Sequence, residues 1–574
     1  MRRDLRALAD GAFDLVVIGG GVFGAAAAWE AVSRGLSVAL IERADFASYT
    51  SANSFKVVHG GIRYIQHGDI YRIRQSAGER SAFLRIAPHL VRPLPIAIPT
   101  YGHGMKGRAA LRAGVAAYDA LTLDRNRGIS DPERRIPSGR SMSRRHTLDM
   151  FPSLQADGLT GSVIFNDGQM LNPPRLVLAF VQSAVAAGAV AANYVEATGL
   201  IREGDKVAGV EAKDVLTGAD FPIKAKMVLN AAGPYAESFS NKALNKVTPN
   251  EARVYSRDAC FVVNRRLFEH DIALAAQGQT RDPDAVISRG NRHLFIAPWR
   301  EYTLIGTWHV VWQKDPAAIR VEDDELQSFI DEVQAGYPGL DLTLDDVGVW
   351  NCGLVPFGEN EEGATHLRYG HRSSLIDHGR EDGVRNLLSL IGVRFTTGRY
   401  EAEKAVDIIA ERLGARRGPS QTTYTPLIGG DFSSTIEEVH QRSISDHGDR
   451  CSPEVLRSLL HHYGTGMEAL LGDAAGAPDL LAPIGGSAVI KAQAVHAVRV
   501  EMAQNLGDVV FRRTDLATGS YPGEKALREV TDVVAPMLGW NDQTVDREIE
   551  TVRSRFPKRS VMSIDREAGG DIAA

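Results

Sequence analysis

The sequence predicts an α/β protein in which a parallel-sheet nucleotide-binding unit is joined to a domain with a mixed or antiparallel sheet and to a helical C-terminal domain. Three features predict it: a strand–glycine turn–helix–strand unit near the N-terminus, strand-like apolar segments between residues 259 and 350, and helical patterning from residue 431 to about 556. The N-terminal unit is the most specific. Residues 15–18 (Leu-Val-Val-Ile) form an apolar run suited to a parallel strand buried on both faces. Gly19, Gly21 and Gly24 follow with G-x-G-x-x-G spacing, and residues 23–32 read as a helix ending at Gly35. The first glycine permits the tight turn, the second lets the backbone approach a pyrophosphate, and the third lets helix and strand pack closely. Phosphates then sit at the helix N-terminus, where unpaired N–H groups and the helix dipole favour negative charge. The next strand, residues 37–41, ends in Glu42, about 20 residues past the glycines, where an acid binds a ribose hydroxyl. All five parts agree on a Rossmann-type dinucleotide site.

Length and composition are conventional. A chain of 574 residues is too long for one core, so two or three domains are expected. Charged residues at 24% and hydrophobic ones at 44% are ordinary globular values. A net charge of −6 gives no basis for nucleic-acid binding. Cys260, Cys352 and Cys451 lie far apart, which argues against a zinc site or a disulfide framework and suits a reducing, cytoplasmic setting. No metal is expected. Residues 1–14 lack a signal-peptide core, and no apolar run reaches membrane-spanning length.

The segment after Glu42, residues 45–64, is dense in hydroxyls and small residues and carries one His59-Gly60-Gly61 turn. A nicotinamide enzyme usually continues with a plain strand–helix unit. This composition suits a chain running flush along an extended cofactor; the alternative is a surface loop with ordinary Ser/Thr turns. Here the chain resembles the FAD-dependent glycerol-3-phosphate dehydrogenases, within the D-amino-acid-oxidase-like flavoproteins. The resemblance rests on Lys56-Val57-Val58-His59-Gly60-Gly61-Ile62-Arg63-Tyr64, Asn230-Ala231-Ala232-Gly233-Pro234-Tyr235, His293-Leu294-Phe295-Ile296-Ala297-Pro298-Trp299, Leu304-Ile305-Gly306-Thr307, Ile391-Gly392-Val393-Arg394-Phe395-Thr396-Thr397-Gly398-Arg399 and Val509-Val510-Phe511-Arg512-Arg513-Thr514. It runs from about residue 13 to beyond 513.

The resemblance implies FAD as cofactor and places its contacts. Gly19, Gly21 and Gly24 would bracket the pyrophosphate, Glu42 would bind the adenosine ribose, and residues 193–197 would meet the adenine end. Ser51, Ser54, Lys56, His59 and Gly60 would line the flavin, with Gly233, Gly392, Arg394, Phe395, Thr396 and Thr397 closing it. The flavin carries the redox chemistry, while the protein positions the substrate carbinol and supplies a base. Guanidinium groups suit a phosphate head. Arg63, beside Tyr64, matches a substrate-site arginine, and Arg394 stands where the family usually has lysine.

Other positions depart from the family. Gly353-Leu354-Val355-Pro356 replaces Gly-Val-Arg-Pro, so Val355 stands for a substrate-facing arginine. Ser256-Arg257-Asp258-Ala259 replaces Lys-Gly-x-His, and Gly306-Thr307-Trp308-His309 replaces Gly-Thr-Thr-Asp. Losing one arginine from a charged site removes roughly 1.5–3 kcal/mol unless replaced; Arg257 and His309 are the candidates for replacement. His309 is also a candidate base because its ordinary pKa lies near working pH, with His59 and Arg394 as competitors. Strand alternation sends Trp308 and His309 to opposite faces, so only one looks into the site.

The expected organisation is a discontinuous FAD-binding domain (13–92, 150–237, 384–413), a helical insertion at 93–149, a substrate domain at 238–383, a helical domain at 431–556 and a disordered tail at 558–574. Within the insertion, residues 105–124 carry a loose apolar stripe (Leu111, Val115, Tyr118) beside Lys106, Arg108 and Arg112, which reads either as a membrane-surface helix or as an ordinary packing helix. The expected activity is oxidation of a small anionic hydroxylated substrate: glycerol 3-phosphate, another polyol phosphate, a phosphonate or a hydroxy acid. Quinone, oxygen or another acceptor takes the electrons. Peripheral attachment to the inner face of the cytoplasmic membrane and a homodimer are further expectations. The rivals are a D-amino-acid-oxidase-like amine or hydroxy-acid oxidase and a catalytically silent flavoprotein subunit.

Overall fold

The computed structural model describes residues 1–104, 107–246, 255–281, 291–356, 373–415 and 418–568. Its described residues form two sheets. The first has eight strands and runs, in spatial order, Ser374–Asp377, Leu387–Ile391, Asp220–Asn230, Ala12–Ile18, Val38–Glu42 and Val190–Asn193. The pair Val195–Glu203 and Lys206–Asp214 extends it from Asp220–Asn230. Ala12–Ile18 lies parallel to both its neighbours. Its apolar run is buried on both faces: Leu15 and Val17 join one core cluster, Val16 and Ile18 another. The helix Val22–Ser33 covers one face with Ala25 to Ala28 fully buried, small side chains that allow close approach to the strand. The chain leaves Ala12–Ile18 for Val38–Glu42 on one side and meets Asp220–Asn230 on the other, and a crevice opens at the carboxyl ends at such a switch point.

The second sheet has nine strands: Val347–Pro356, Tyr255–Val263, Tyr302–Trp312, Asn291–Trp299, Ala273–Arg281, Val91–Tyr101, Leu159–Met170 and Val57–Val58, with Arg140–Ser143 beside Leu159–Met170. It is mixed, because Ala273–Arg281 pairs parallel with Val91–Tyr101 while the other ladders are antiparallel. Alternation decides its two faces. Leu274 and Ala276 pack with Phe329, Ile330 and Val333 of the helix Asp323–Gly336, whereas Ala273 and Ala275 look toward the crevice.

The helical C-terminal region is held to the first sheet by buried ion pairs. Arg513 is bidentate to Asp45 at 2.7 Å, Arg512 Nε reaches the same carboxylate at 2.6 Å, and Arg175 meets Glu501 at 2.6 Å. Burial opposes the Asp45 charge, yet the two guanidinium groups hold its carboxyl down at about 2. The Arg512-Arg513 motif is thus a clamp between regions.

Two expectations need correction. Residues 93–149 are not wholly helical: most of the strand Val91–Tyr101 lies there, because its apolar residues Leu94, Ile96 and Ile98 complete the second sheet. Residues 558–568 are not disordered but form the helix Lys558–Ala568, whose Val561 packs into the C-terminal core; 569–574 lie outside the described residues. The stripe on the helix Arg108–Leu121, which the sequence left open between two readings, turns inward, with Val115 and Tyr118 buried and Leu111 packed against the second sheet. Met105 and Lys106 lie outside the described residues. Among the described residues no helix is long and apolar enough to cross a membrane.

Candidate active site

One cavity of about 1760 Å³ runs from the glycine turn, across the carboxyl ends of the first sheet, to the inner face of the second. Its first third is an anion cradle. Gly19 adopts φ +105°, which favours glycine, and a Cβ on Gly24 would lie 1.9 Å from the Gly19 carbonyl oxygen. Gly24 does not line the cavity; it acts through packing, and Gly19 and Gly21 face the space. The helix Val22–Ser33 begins at Gly21 with no side-chain cap, and the Val22 amide donates to Ser51 Oγ at 3.0 Å. Glu42 accepts from the Gly20 amide at 2.7 Å and the Ala44 amide at 2.9 Å, which ties the turn to the second strand. Burial raises its carboxyl above the ordinary value, against the pull of these two bonds. Val195, Glu196, Ala197 and Thr198 line the same end, while Asn193 is buried and donates to Asp45. Arg43 lies over the Tyr235 ring at 3.8 Å and the Tyr49 ring at 5.0 Å, making a flat wall.

At the far end, Ser54, His59, Gly233, Gly392, Arg394, Phe395 and Thr396 line the cavity as expected. The His59 amide donates to Thr396 Oγ1 at 3.0 Å, joining two segments 337 residues apart. His59 Nδ1 stands 3.4 Å from Asp167 Oδ2, and the half-exposed residue lines the cavity. Asp167 is buried; it accepts from the Gly60 amide at 2.6 Å and from Arg80 Nη1 at 3.3 Å. Burial works against its charge, but hydrogen bonding and charge from His59, with Arg80 and the Gly60 amide, hold its carboxyl below the ordinary value.

Four expected contacts lie elsewhere. Lys56 is buried off the cavity, its ammonium 4.8 Å from the Trp299 ring centroid and without a hydrogen-bond partner, and burial lowers it to about 8. Gly60 is a packing position, because a Cβ there would meet Arg80 and Tyr118 at 2.2 Å. Thr397 turns back to donate to the Arg394 carbonyl. Arg257 does not compensate for Val355. It is 2% exposed and pairs with Glu325 and the Arg320 carbonyl on the helix-covered face of the sheet.

The cationic wall is assembled instead around Tyr64. Arg394 lies 5.2 Å from its ring centroid and Arg72 5.5 Å, with Arg63 next in sequence, and all four line the cavity. Burial, together with Arg72 and Arg63, lowers the Arg394 pKa, so this charge is held where cations crowd. Asp69 pairs with Arg72 at 3.1 Å. Such a wall favours an anion. Arg72 was not anticipated. Nine positions and a glycine break separate it from Arg63, and only the 3-10 turn Ile62–His67 followed by the helix Ile70–Ile86 folds the two together. Asp167 was missed for the same reason, as its partner is 108 residues away.

On the opposite wall, His309 looks into the cavity while Trp308 stacks on Phe329 at 4.2 Å, as alternation required. Asp258, which faces His309 across the ladder and accepts from Ser256 Oγ at 2.7 Å, and His293 also line it. Val355 lines the same wall, whereas Ala259 pairs with Trp308 and packs with it in the core under the helix Asp323–Gly336.

This arrangement fits an extended dinucleotide: acid and flat wall at one end, a helix N-terminus that opens on a glycine at the centre, and backbone turns with a histidine at the other. Comparison with known proteins agrees. Residues 14–392 match the FAD dependent oxidoreductase family model, and residues 420–545 match the C-terminal domain of alpha-glycerophosphate oxidase. Glycerol-3-phosphate dehydrogenase of Mycobacterium leprae is 32% identical over 95% of this chain and 88% of its own length. The mitochondrial enzyme of that name from Homo sapiens is 30% identical over 94% of this chain and 72% of its own. The X-ray structure of the glycerol-3-phosphate dehydrogenase from Bacillus halodurans complexed with FAD superposes with a TM-score of 0.73, at 23% identity, over 96% of this chain and 95% of that one, a likeness of fold. The chain therefore belongs to the FAD-dependent glycerol-3-phosphate dehydrogenase family, and FAD is its cofactor.

Proposed function

We propose that the protein oxidises the secondary hydroxyl of glycerol 3-phosphate, or of a closely related polyol phosphate, to the ketone. The observation that carries this is the guanidinium wall around Tyr64, placed at the far end of a dinucleotide crevice. Gly19, Gly21, Glu42 and Ser51 hold the FAD diphosphate and ribose, and His59, Gly392 and Thr396 border its ring system. Bound FAD supplies the hydride acceptor. Arg63, Arg72 and Arg394 neutralise the phosphate dianion and fix the carbinol by their distance from it. Arg72 supplies the charge that Val355 lacks.

His59 takes the hydroxyl proton at Nε2. Asp167 beside Nδ1 fixes the ring and stabilises the imidazolium, as a carboxylate does in an acid–base pair. His309 is the second reading for the base, favoured by its place opposite Asp258 on the cavity wall. The apolar second sheet shields the reacting carbon from water. Electrons pass on to a quinone, to oxygen or to another acceptor, and the same reading has the enzyme working in the cytoplasm, at or near a membrane surface, with a homodimer as its assembly.

The test is anaerobic mixing of the flavin-loaded protein with glycerol 3-phosphate. Bleaching of the visible flavin band is expected. No bleaching, with a flavin that dithionite still reduces, refutes this substrate; bleaching by amino acids in its place would favour an amine oxidase.

A further inference from the structure

Two walls of the cavity differ in hydrogen-bonding character. Arg63, Arg72 and Arg394 around Tyr64 bring guanidinium donors, whereas the wall made by the second sheet presents a carboxylate and an imidazole. Strand register builds that second wall. Asp258 of Tyr255–Val263 lies directly opposite His309 of Tyr302–Trp312 on one side and Gly353 of Val347–Pro356 on the other. Residues opposed across an antiparallel ladder put their side chains on one face, with Cβ atoms roughly 4.5–5.5 Å apart. Here it is the cavity face. Arg257 and Ala259, the chain neighbours of Asp258, turn to the side of the helix Asp323–Gly336, while Asp258 and His309 are half-buried and line the space.

Ser256 orients the carboxylate. It lies two residues along on the same face, is fully buried, and donates from Oγ to Asp258 Oδ1 at 2.7 Å. Val355, opposite Ser256 in the ladder, adds no donor to the row beside Asp258. The wall therefore sets an oriented acceptor next to an imidazole, which keeps an N–H donor in either neutral tautomer. A hydroxyl matches both, because it donates its proton and accepts at its lone pairs. An ammonium only donates and a phosphate oxygen only accepts, so each matches one member of the pair.

This wall stands near the flavin-side block. Gly306, on the same strand as His309, packs against Phe55, four residues before His59; a Cβ there would meet the Phe55 ring at 3.0 Å. In glycerol 3-phosphate the phosphate and the terminal hydroxymethyl group leave the carbinol carbon in different directions. A phosphate held at the guanidinium wall thus sends the terminal hydroxyl toward Asp258 and His309.

We infer that Asp258 and His309 are the specificity-determining pair for the terminal hydroxyl of the polyol phosphate, which donates to Asp258 and accepts from His309. This rests on the proposed oxidation of polyol phosphates by the same site.

The experiment uses the flavin-loaded protein and two probes that lack the secondary carbinol, 3-hydroxypropyl phosphate and n-propyl phosphate, which differ by the terminal hydroxyl. Binding is read from perturbation of the flavin spectrum. The hydroxylated probe is expected to bind about tenfold tighter, the lower end for a hydrogen bond to a charged group on a half-buried wall. A site built around a substrate hydroxyl rejects the analogue that lacks it. D258A is expected to bring the ratio near one in protein that retains FAD, by weakening the hydroxylated probe alone. D258N, which keeps the size and loses the charge, is expected to lower it. Equal binding of the two probes by the unmodified protein overturns the inference, as does a ratio unchanged in both variants. A lower limiting bleaching rate in the variants beside an unchanged ratio makes Asp258 a partner of His309 in proton transfer and also overturns it. Bleaching by glycerol 3-phosphate is measured separately. Its absence beside a clear probe ratio refutes that substrate and leaves the hydroxyl site supported; its presence with a ratio near one does the reverse.

Discussion

Replacing Arg72 by leucine isolates the anion site from the fold. Arg72 has a side chain 17% exposed, and its ion-pair partner, Asp69, is 28% exposed, so removing the guanidinium leaves a carboxylate that water can reach. The folded protein should tolerate this. Arg394 also loses a like-charged neighbour, which relieves part of the effect that lowers its pKa and should leave the ligand-free protein slightly more stable. For the substrate the balance reverses. A hydrogen bond to a charged group contributes roughly 1.5–3 kcal/mol, and partial exposure together with competition from Asp69 favours the lower end. That corresponds to about tenfold weaker binding, and at most about a hundredfold. Stopped-flow flavin bleaching against glycerol 3-phosphate concentration separates the terms: the dissociation constant should rise while the limiting rate changes little. R72K should recover part of the loss, since it keeps charge but not the planar fork. An unchanged dissociation constant, or a loss confined to the limiting rate, would refute the placement of the phosphate beside Tyr64.

Other expectations concern the base, the buried pairs and the glycine turn. H59N should lower the limiting bleaching rate by about 10²–10⁴-fold, with H309N changing it far less; the opposite ranking makes His309 the base. D167N leaves the fully buried Arg80 without its carboxylate, and equilibrium unfolding should show a loss of about 3–5 kcal/mol. Because the Asp167 carboxyl is held below its ordinary value, its stabilising contribution is complete above the unfolded carboxylate pKa and fades as pH falls through the folded one. Acid unfolding of D167N should therefore lack that component. R257L should lower thermal stability and leave the substrate dissociation constant unchanged, as Arg257 pairs with Glu325 away from the cavity. G24A should lose FAD on gel filtration, because its Cβ would collide with the Gly19 carbonyl.

The cofactor half of the site was legible because its code is local. Gly19, Gly21, Gly24 and Glu42 act within one strand–helix–strand unit, so spacing along the chain maps onto distance in space. His309 was legible for a similar reason, since alternation along one strand sends it inward when Trp308 goes to the core. The substrate half was not. Arg257 looked available by type and position, yet the second sheet turns it to the helix-covered face and buries it against Glu325. Arg72 and Asp167 carried no signal, as each acquires its role from a partner brought in by another segment. Lys56 and Gly60, inside a strong family motif, turned out to serve packing.

By itself the sequence determined the fold class, the dinucleotide crevice and the family, because periodicity, glycine spacing and motif chemistry are properties of neighbouring residues. Tertiary structure alone decided which cations face the cavity, which carboxylate holds His59, and that the helix Arg108–Leu121 turns its apolar stripe onto the second sheet. Those outcomes depend on sheet register and on which face of each strand or helix is buried. Long-range packing sets both, and no short stretch of chain encodes them.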